Sequence, residues 1–177
     1  MPDVELSLPL KEFLNKNTTQ TFLATAQTFI DLLEIETMEQ EEFLRKSHSA
    51  LIDLYASGHK LEEIDLSDSE EKSSFIREEF FQNKNAGLIG ELKERAFYYE
   101  VFNPIDKEEK EPMQGWLVDD LADIYRDLKI ELEKIKLGTS DAIEDALWQM
   151  KFSFNSHWGD HCINALRALH YMRNYEK

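Results

Sequence analysis

Hydrophobic residues recur every three or four positions along most of this chain, which is the spacing of amphipathic helices. The first third predicts a short helical turn from Pro9 to about Asn17, then a helix capped at Thr18–Thr19. A capping-box pair, Thr37 and Gln40, predicts a further helix that Gly58 ends. The first long helix is predicted to bury one stripe of apolar side chains, namely Phe22, Ala26, Phe29, Ile30 and Leu33.

The middle of the chain is less periodic. Residues 60–79 are acidic and predict a solvated connection, with one short helix near 71–81. A helix is predicted from Ala86 to Tyr99, ending before Asn103-Pro104 because the residue before a proline disfavours helix. A charged loop over 106–111 follows.

The last third carries the strongest periodicity. It predicts a helix from Trp116 to Leu137, stopped by Gly138, and a long helix from a Ser140 cap to about Arg173, kinked between Ser156 and Gly159. Apolar residues also lie opposite the main stripe of the long helix, so it is predicted to stand at the centre of the fold. Those opposite residues are Trp148, Phe152, Ile163 and Leu166.

Composition supports the same fold. The chain has 177 residues with only 6 glycines and 4 prolines, which is too few for the tight turns of a sandwich or barrel. We therefore predict an all-α single domain over 1–177, an antiparallel helical bundle of five to seven helices.

Charge and cysteine content limit the partners and the cellular compartment that we expect for this chain. The net charge of −16 excludes nucleic acid and anionic membrane surfaces as expected partners. The single cysteine, Cys162, fits a reducing cytosol. No basic-then-apolar leader opens the sequence and no apolar run is long enough to span a bilayer, so the expected location is cytoplasmic.

Two groups of polar residues carry candidate chemistry. Asp120, Asp123 and Asp127 recur on one side of a helix, where carboxylates can share a divalent cation or can form a charged face stabilised by Arg126. His157 and His161 are four residues apart, with Asp160 beside them. Such imidazoles can share a metal, or can be core histidines that bond to carboxylates.

An antiparallel packing of the two C-terminal helices would join these groups. At 1.5 Å per residue from the turn at Gly138, Asp120 and Asp123 reach about the height of His157 and His161. The candidate metal ligands are therefore Asp120, Asp123, His157, Asp160 and His161. The candidate ligand pocket beside them comprises Arg126, Asp127 and Arg167. No catalytic residue and no cofactor is assigned.

Two segments resemble a bacterial all-helical family known as a domain of unknown function (type 5063). They are Asp119 to Leu128 (DDLADIYRDL) and His157 to His170 (HWGDHCINALRALH), and Leu54-Tyr55 and Asn103-Pro104 also resemble the family. The resemblance implies a small bacterial cytosolic protein and supplies no catalytic residue.

Three functions remain open from the sequence. The first is a non-enzymatic protein acting through contacts with a protein partner, in which the Asp/His/Arg group is structural. The second is a bundle that binds a small ligand or a metal, and the third is a metal-dependent hydrolase that activates water at the same site. A sealed core at His157 favours the first, and a groove open to solvent there favours the other two.

Overall fold

The computed structural model describes residues 6–65, 87–88, 90, 92–101, 105–106, 108 and 111–175. Within these ranges lie a 3-10 helix, Lys93–Ala96, and the strands β1 (Phe97–Glu100) and β2 (Met113–Trp116). Six α-helices lie wholly within them: α1 (Leu8–Asn15), α2 (Asn17–Leu33), α3 (Gln40–Lys60), α4 (Leu117–Ile135), α5 (Ser140–Ser156) and α6 (Trp158–Tyr175). Residues 87–88, 90 and 92 are also helical. The all-α prediction is confirmed. The short helix predicted near 71–81 and the Asn103-Pro104 pair lie outside the described residues.

The helices pack around one apolar core. α2 lies against α3 and α4, and α6 lies against α3, α4 and α5. α4 and α5 run antiparallel across a short turn in which Gly138 has a φ of +75°, a conformation that glycine adopts without strain. The side chains of the predicted α2 stripe are all buried, as are Leu147, Phe154 and Ala165 of the C-terminal pair.

The long C-terminal helix of the prediction is two helices that meet at His157. The backbone there has φ −153° and ψ −83°, so the expected kink is a break. Gly159 is required beyond it, because a Cβ at this position would lie 2.2 Å from the carbonyl oxygen of Phe154. Trp158 fills the corner: it is fully buried, packs edge-on against Phe154, and donates its indole N–H to the carbonyl of Met150 at 3.1 Å.

Several local predictions were wrong for reasons of packing. Gly58 does not end α3, which continues to Lys60; it is buried where a Cβ would meet the Trp158 ring at 2.6 Å. Thr37 does not cap α3, because the helix starts after Glu39 and the Gln40 side chain donates to the carbonyl of Leu92 instead.

Two further corrections concern the neighbouring caps. α2 begins at Asn17 after Lys16 rather than at the threonines. The N-cap of α5 is Thr139, whose hydroxyl accepts from the backbone N–H of Ala142 at 3.3 Å, and Ser140 is the first helical residue.

The helices α5 and α6 are also less enclosed than predicted. Phe152 and Ile163, expected on a second buried face, are about half exposed. α5 and α6 therefore bury one face each and leave the other to solvent, as amphipathic helices do.

The helix predicted to reach Tyr99 ends earlier. Residues Phe97–Glu100 form β1, which pairs antiparallel with β2 so that Tyr98 lies opposite Gly115. Successive aromatic residues favour a strand, and the alternation of side chains turns Tyr98 and Glu100 inward. The hairpin is the only β-structure among the described residues. No described helix combines the length and the hydropathy needed to cross a bilayer.

Candidate functional site

The candidate site lies between α4 and α6, at the point where α6 begins. α4 presents its acidic residues beside the apolar stripe that packs on α6, and this placement buries Asp120 to 4% exposure. The neighbours Leu117, Leu121 and Ile124 are fully buried, so the carboxylate of Asp120 enters the core along with the stripe.

The buried Asp120 is hydrogen-bonded through both of its oxygens. Oδ1 lies 2.8 Å from Nδ1 of His161, and Oδ2 accepts from the Tyr98 hydroxyl at 2.6 Å. Burial raises the pKa of Asp120, while the hydrogen bond to this carboxylate raises the pKa of His161. Asp120 is therefore the acidic partner of His161 on α4, and it is one of the two carboxylates that the sequence places at the height of this histidine.

His157 forms a second pair of the same kind. Its Nδ1 lies 2.8 Å from Oδ2 of Asp127, one helical turn beyond Asp123 on α4. The His157 side chain is 42% exposed, whereas that of His161 is 22% exposed. The two imidazoles meet edge to face with ring centroids 4.8 Å apart. The site is therefore open to solvent on the His157 side.

Asp123 lies between the two pairs. Its Oδ2 is 3.6 Å from Nε2 of His161, and its Oδ1 accepts a hydrogen bond from Nη2 of Arg126 on the same helix. One imidazole nitrogen from each of His157 and His161 and one oxygen of Asp123 lie within 4.8 Å of one another. Two imidazoles and a carboxylate are the donors that hold zinc and related ions in proteins.

The remaining predicted residues lie apart from this group. Asp160 is exposed in the first turn of α6, although it is next to His161 in sequence. Arg167 is directed to β1, where its Nη1 forms an ion pair with Glu100. Of the predicted ligand pocket, Arg126 and Asp127 therefore border the Asp123–His157–His161 group, and Arg167 is tied to the hairpin.

The hairpin brings to the site two residues that the helical pattern of the sequence does not indicate. Tyr98 contacts Asp120, and Glu100 contacts Arg167. The alternation of side chains over Phe97–Glu100 was the available signal, because residues two apart on a strand face the same way.

Fold and site together define a class: a small helical bundle with a carboxylate–histidine cluster between two antiparallel helices. The chain belongs to the family described as Domain of unknown function (DUF5063), whose model matches residues 14–174. It is also similar to the crystal structure of protein BF1032 from Bacteroides fragilis. The TM-score is 0.81 at 25% identity, over 93% of this chain and 98% of that one. No curated protein is significantly similar to this chain.

Proposed function

We propose that this protein binds a divalent transition-metal ion, such as Zn²⁺ or Fe²⁺, with Asp123, His157 and His161 as its ligands. The observation that carries the proposal is that both histidines bond through Nδ1 to separate carboxylates, Asp127 and Asp120. A metal-binding histidine ordinarily donates its other ring N–H to a carboxylate or carbonyl, which orients the ring and leaves Nε2 for the ion.

The spacing of the donor atoms suits this role. Ligand bonds of about 2.1 Å put two atoms of a tetrahedral site about 3.4 Å apart. Nε2 of His161 and Oδ2 of Asp123, 3.6 Å apart, already have nearly this separation. The His157 side chain is 42% exposed, which leaves room for a small rotation of its ring toward the ion.

Three protein ligands would leave a position of the ion open toward solvent. Zinc sites that hold water in this way are those of enzymes, whereas structural zinc sites use four protein ligands. The exposure of His157 supports this reading, and a metal-activated water is the chemistry that such a position supplies. A hydrolase of this kind is the second candidate function.

The test is metal analysis of protein purified without a histidine tag. We expect close to one equivalent of a first-row metal after purification, or tight uptake of Zn²⁺ by the chelated protein. His157→Ala, His161→Ala and Asp123→Ala should each abolish it. His59→Ala is the matched control, because that histidine is exposed at the end of α3 and should not change metal content.

Absence of metal binding would contradict the proposal. If the chelated protein takes up no Zn²⁺, Co²⁺ or Fe²⁺ below about 1 mM, the proposal is wrong. The Asp/His pairs would then serve the fold, and a non-enzymatic role through protein contacts, in the cytoplasm, would become the leading proposal.

A further inference from the structure

The β-hairpin supplies a residue that acts on the candidate site without reaching the ion. We infer that Tyr98 is a positioning residue: through Asp120 it fixes the orientation of His161 and so sets the affinity for the metal. This inference rests on the proposed metal binding. It adds to that proposal a role for β1 and β2, which contribute no ligand.

The hydrogen bonds form an unbroken chain from the strand to the imidazole. The Tyr98 hydroxyl donates to Oδ2 of Asp120 at 2.6 Å, and Oδ1 of the same carboxylate is 2.8 Å from Nδ1 of His161. Asp120 is nearly inaccessible to water, so no solvent molecule can replace the hydroxyl readily. Removing the hydroxyl leaves one oxygen of a buried carboxylate without this donor, and the carboxylate is free to turn away from His161.

Gly115 makes room for this arrangement. It lies opposite Tyr98 in the register of the hairpin, and a Cβ at this position would lie 2.4 Å from Cζ and 2.7 Å from the hydroxyl oxygen of Tyr98. An aromatic ring cannot yield at these atoms as a flexible chain could, so alanine would push the ring off the strand. The glycine therefore lets the ring lie across β2 with its hydroxyl directed at Asp120.

A second contact fixes the hairpin on the helices. Glu100, the next inward residue of β1, pairs with Arg167 of α6. The strand is thus held to α4 through Tyr98 and to α6 through Glu100. Since the candidate ligands come from the same two helices, the hairpin ties together the elements on either side of the site.

Carboxylates that orient metal-bound histidines change metal affinity by about 10- to 100-fold when altered. Loss of the Tyr98 hydroxyl acts one bond further away, so we expect Tyr98→Phe to weaken Zn²⁺ binding by about tenfold. The control is Tyr99→Phe, a neighbouring tyrosine on the opposite, exposed side of β1. Gly115→Ala should give a similar loss, with Gly90→Ala as its control because a Cβ there would meet nothing within 4 Å.

The experiment measures Zn²⁺ dissociation constants by chelator competition, visible absorption spectra of the Co²⁺-loaded proteins, and thermal unfolding of the metal-free proteins. We expect weaker binding and an altered Co²⁺ spectrum for both site variants while their controls match the wild type. A merely structural role would lower the unfolding temperature and leave the Co²⁺ spectrum of the loaded protein unchanged.

The outcomes separate the two proposals. If the wild type binds no metal, the proposed function fails and this inference fails with it. If the wild type binds metal and Tyr98→Phe agrees with Tyr99→Phe within threefold, the metal site stands and the role of Tyr98 is overturned. If Tyr98→Phe does not fold, Gly115→Ala decides, because it keeps the hydroxyl and displaces it.

Discussion

A buried ion cluster near the turn between α4 and α5 predicts an unusual dependence of stability on pH. Glu131 and Lys134 are each 5% exposed, and Asp145 of α5 completes the group. Nζ of Lys134 lies 2.5 Å from Asp145 Oδ2, to which it donates a hydrogen bond. It is also 2.7 Å from Oε2 of Glu131. One ammonium group therefore faces two carboxylates.

Glu131 is the carboxylate of this cluster whose ionised form is poorly stabilised. Burial raises the pKa of Glu131 from its ordinary 4.5 to about 7, and the charges of Asp145 and Asp127 act in the same direction. Lys134 opposes the rise, but its charge is shared with Asp145. Glu131 in the folded chain therefore keeps its proton over a pH range where the unfolded chain has released it.

The sign of the effect follows from this order of pKa values. Below about pH 4.5 Glu131 is protonated in both states, and its contribution to folding is complete. As the pH rises to about 7, the unfolded chain loses its proton first, and the free energy of unfolding falls. At about 1.4 kcal/mol for each pH unit, the loss approaches about 3 kcal/mol by pH 8.

Glu131→Gln isolates this contribution because glutamine is close in shape, carries no charge and leaves the Lys134–Asp145 pair in place. We expect the variant to gain stability relative to the wild type as the pH rises from 5 to 8, by about 2.5 kcal/mol in total. Urea unfolding followed by circular dichroism at several pH values measures the difference. Glu36→Gln, which alters an exposed carboxylate, is the control.

A difference between wild type and Glu131→Gln that stays constant within about 0.5 kcal/mol over this pH range would refute the reasoning. It would mean that Glu131 remains ionised in the folded chain and that Lys134 compensates both carboxylates.

Further predictions concern the corner between α5 and α6. Phe154→Ala should lower the free energy of unfolding by about 3–5 kcal/mol, and a loss below about 1 kcal/mol would contradict the packing described. Gly159→Ala should destabilise the protein more than Gly90→Ala does, since its Cβ would strike backbone rather than open space; equal unfolding temperatures would argue otherwise. Cys162 is fully buried and burial raises its pKa, so a thiol reagent should label it only after denaturation; rapid labelling of the native protein would show an open core.

The helical parts of the fold could be predicted because their signals are local. A stripe with a period of 3.6 residues identifies both a helix and its buried face, and Phe22 and Phe29 are buried where the stripe of the first long helix predicts. The single-domain boundary over 1–177 remains a prediction. Helix ends were predicted less well, because side chains such as Gln40 bond to distant parts of the chain rather than to their own helix end.

The candidate site could be predicted in part, from height along two antiparallel helices. The rise of 1.5 Å per residue placed Asp120 at about the height of His161 without any knowledge of packing. It did not distinguish Asp120 from Asp123 as the partner of that histidine, because height gives no direction around the helix axis. The break at His157 changes that direction, and it depends on the burial of Trp158, a tertiary effect.

The inferred role of Tyr98 could not be predicted from its own segment of the sequence alone. Its strand exists only as a pair with Met113–Trp116, and the aromatic ring finds its place only because the opposite residue is glycine. Neither four-residue segment is long enough to show a periodic hydrophobic pattern by itself. Strands of four residues are defined by their partner, so propensity alone cannot distinguish them from the end of a helix.

The most informative contrast within the site is between its two carboxylate–histidine pairs. The Asp120–His161 pair is largely buried, and stability alone can account for it, since a buried imidazole requires a polar partner. The Asp127–His157 pair is different: its histidine is 42% exposed, and an exposed pair of this kind adds little to stability. Its imidazole nevertheless has its Nδ1 bonded and its ring turned toward His161 and Asp123. The proposed metal binding uses that position of the ring, whereas the stability of the fold does not require it.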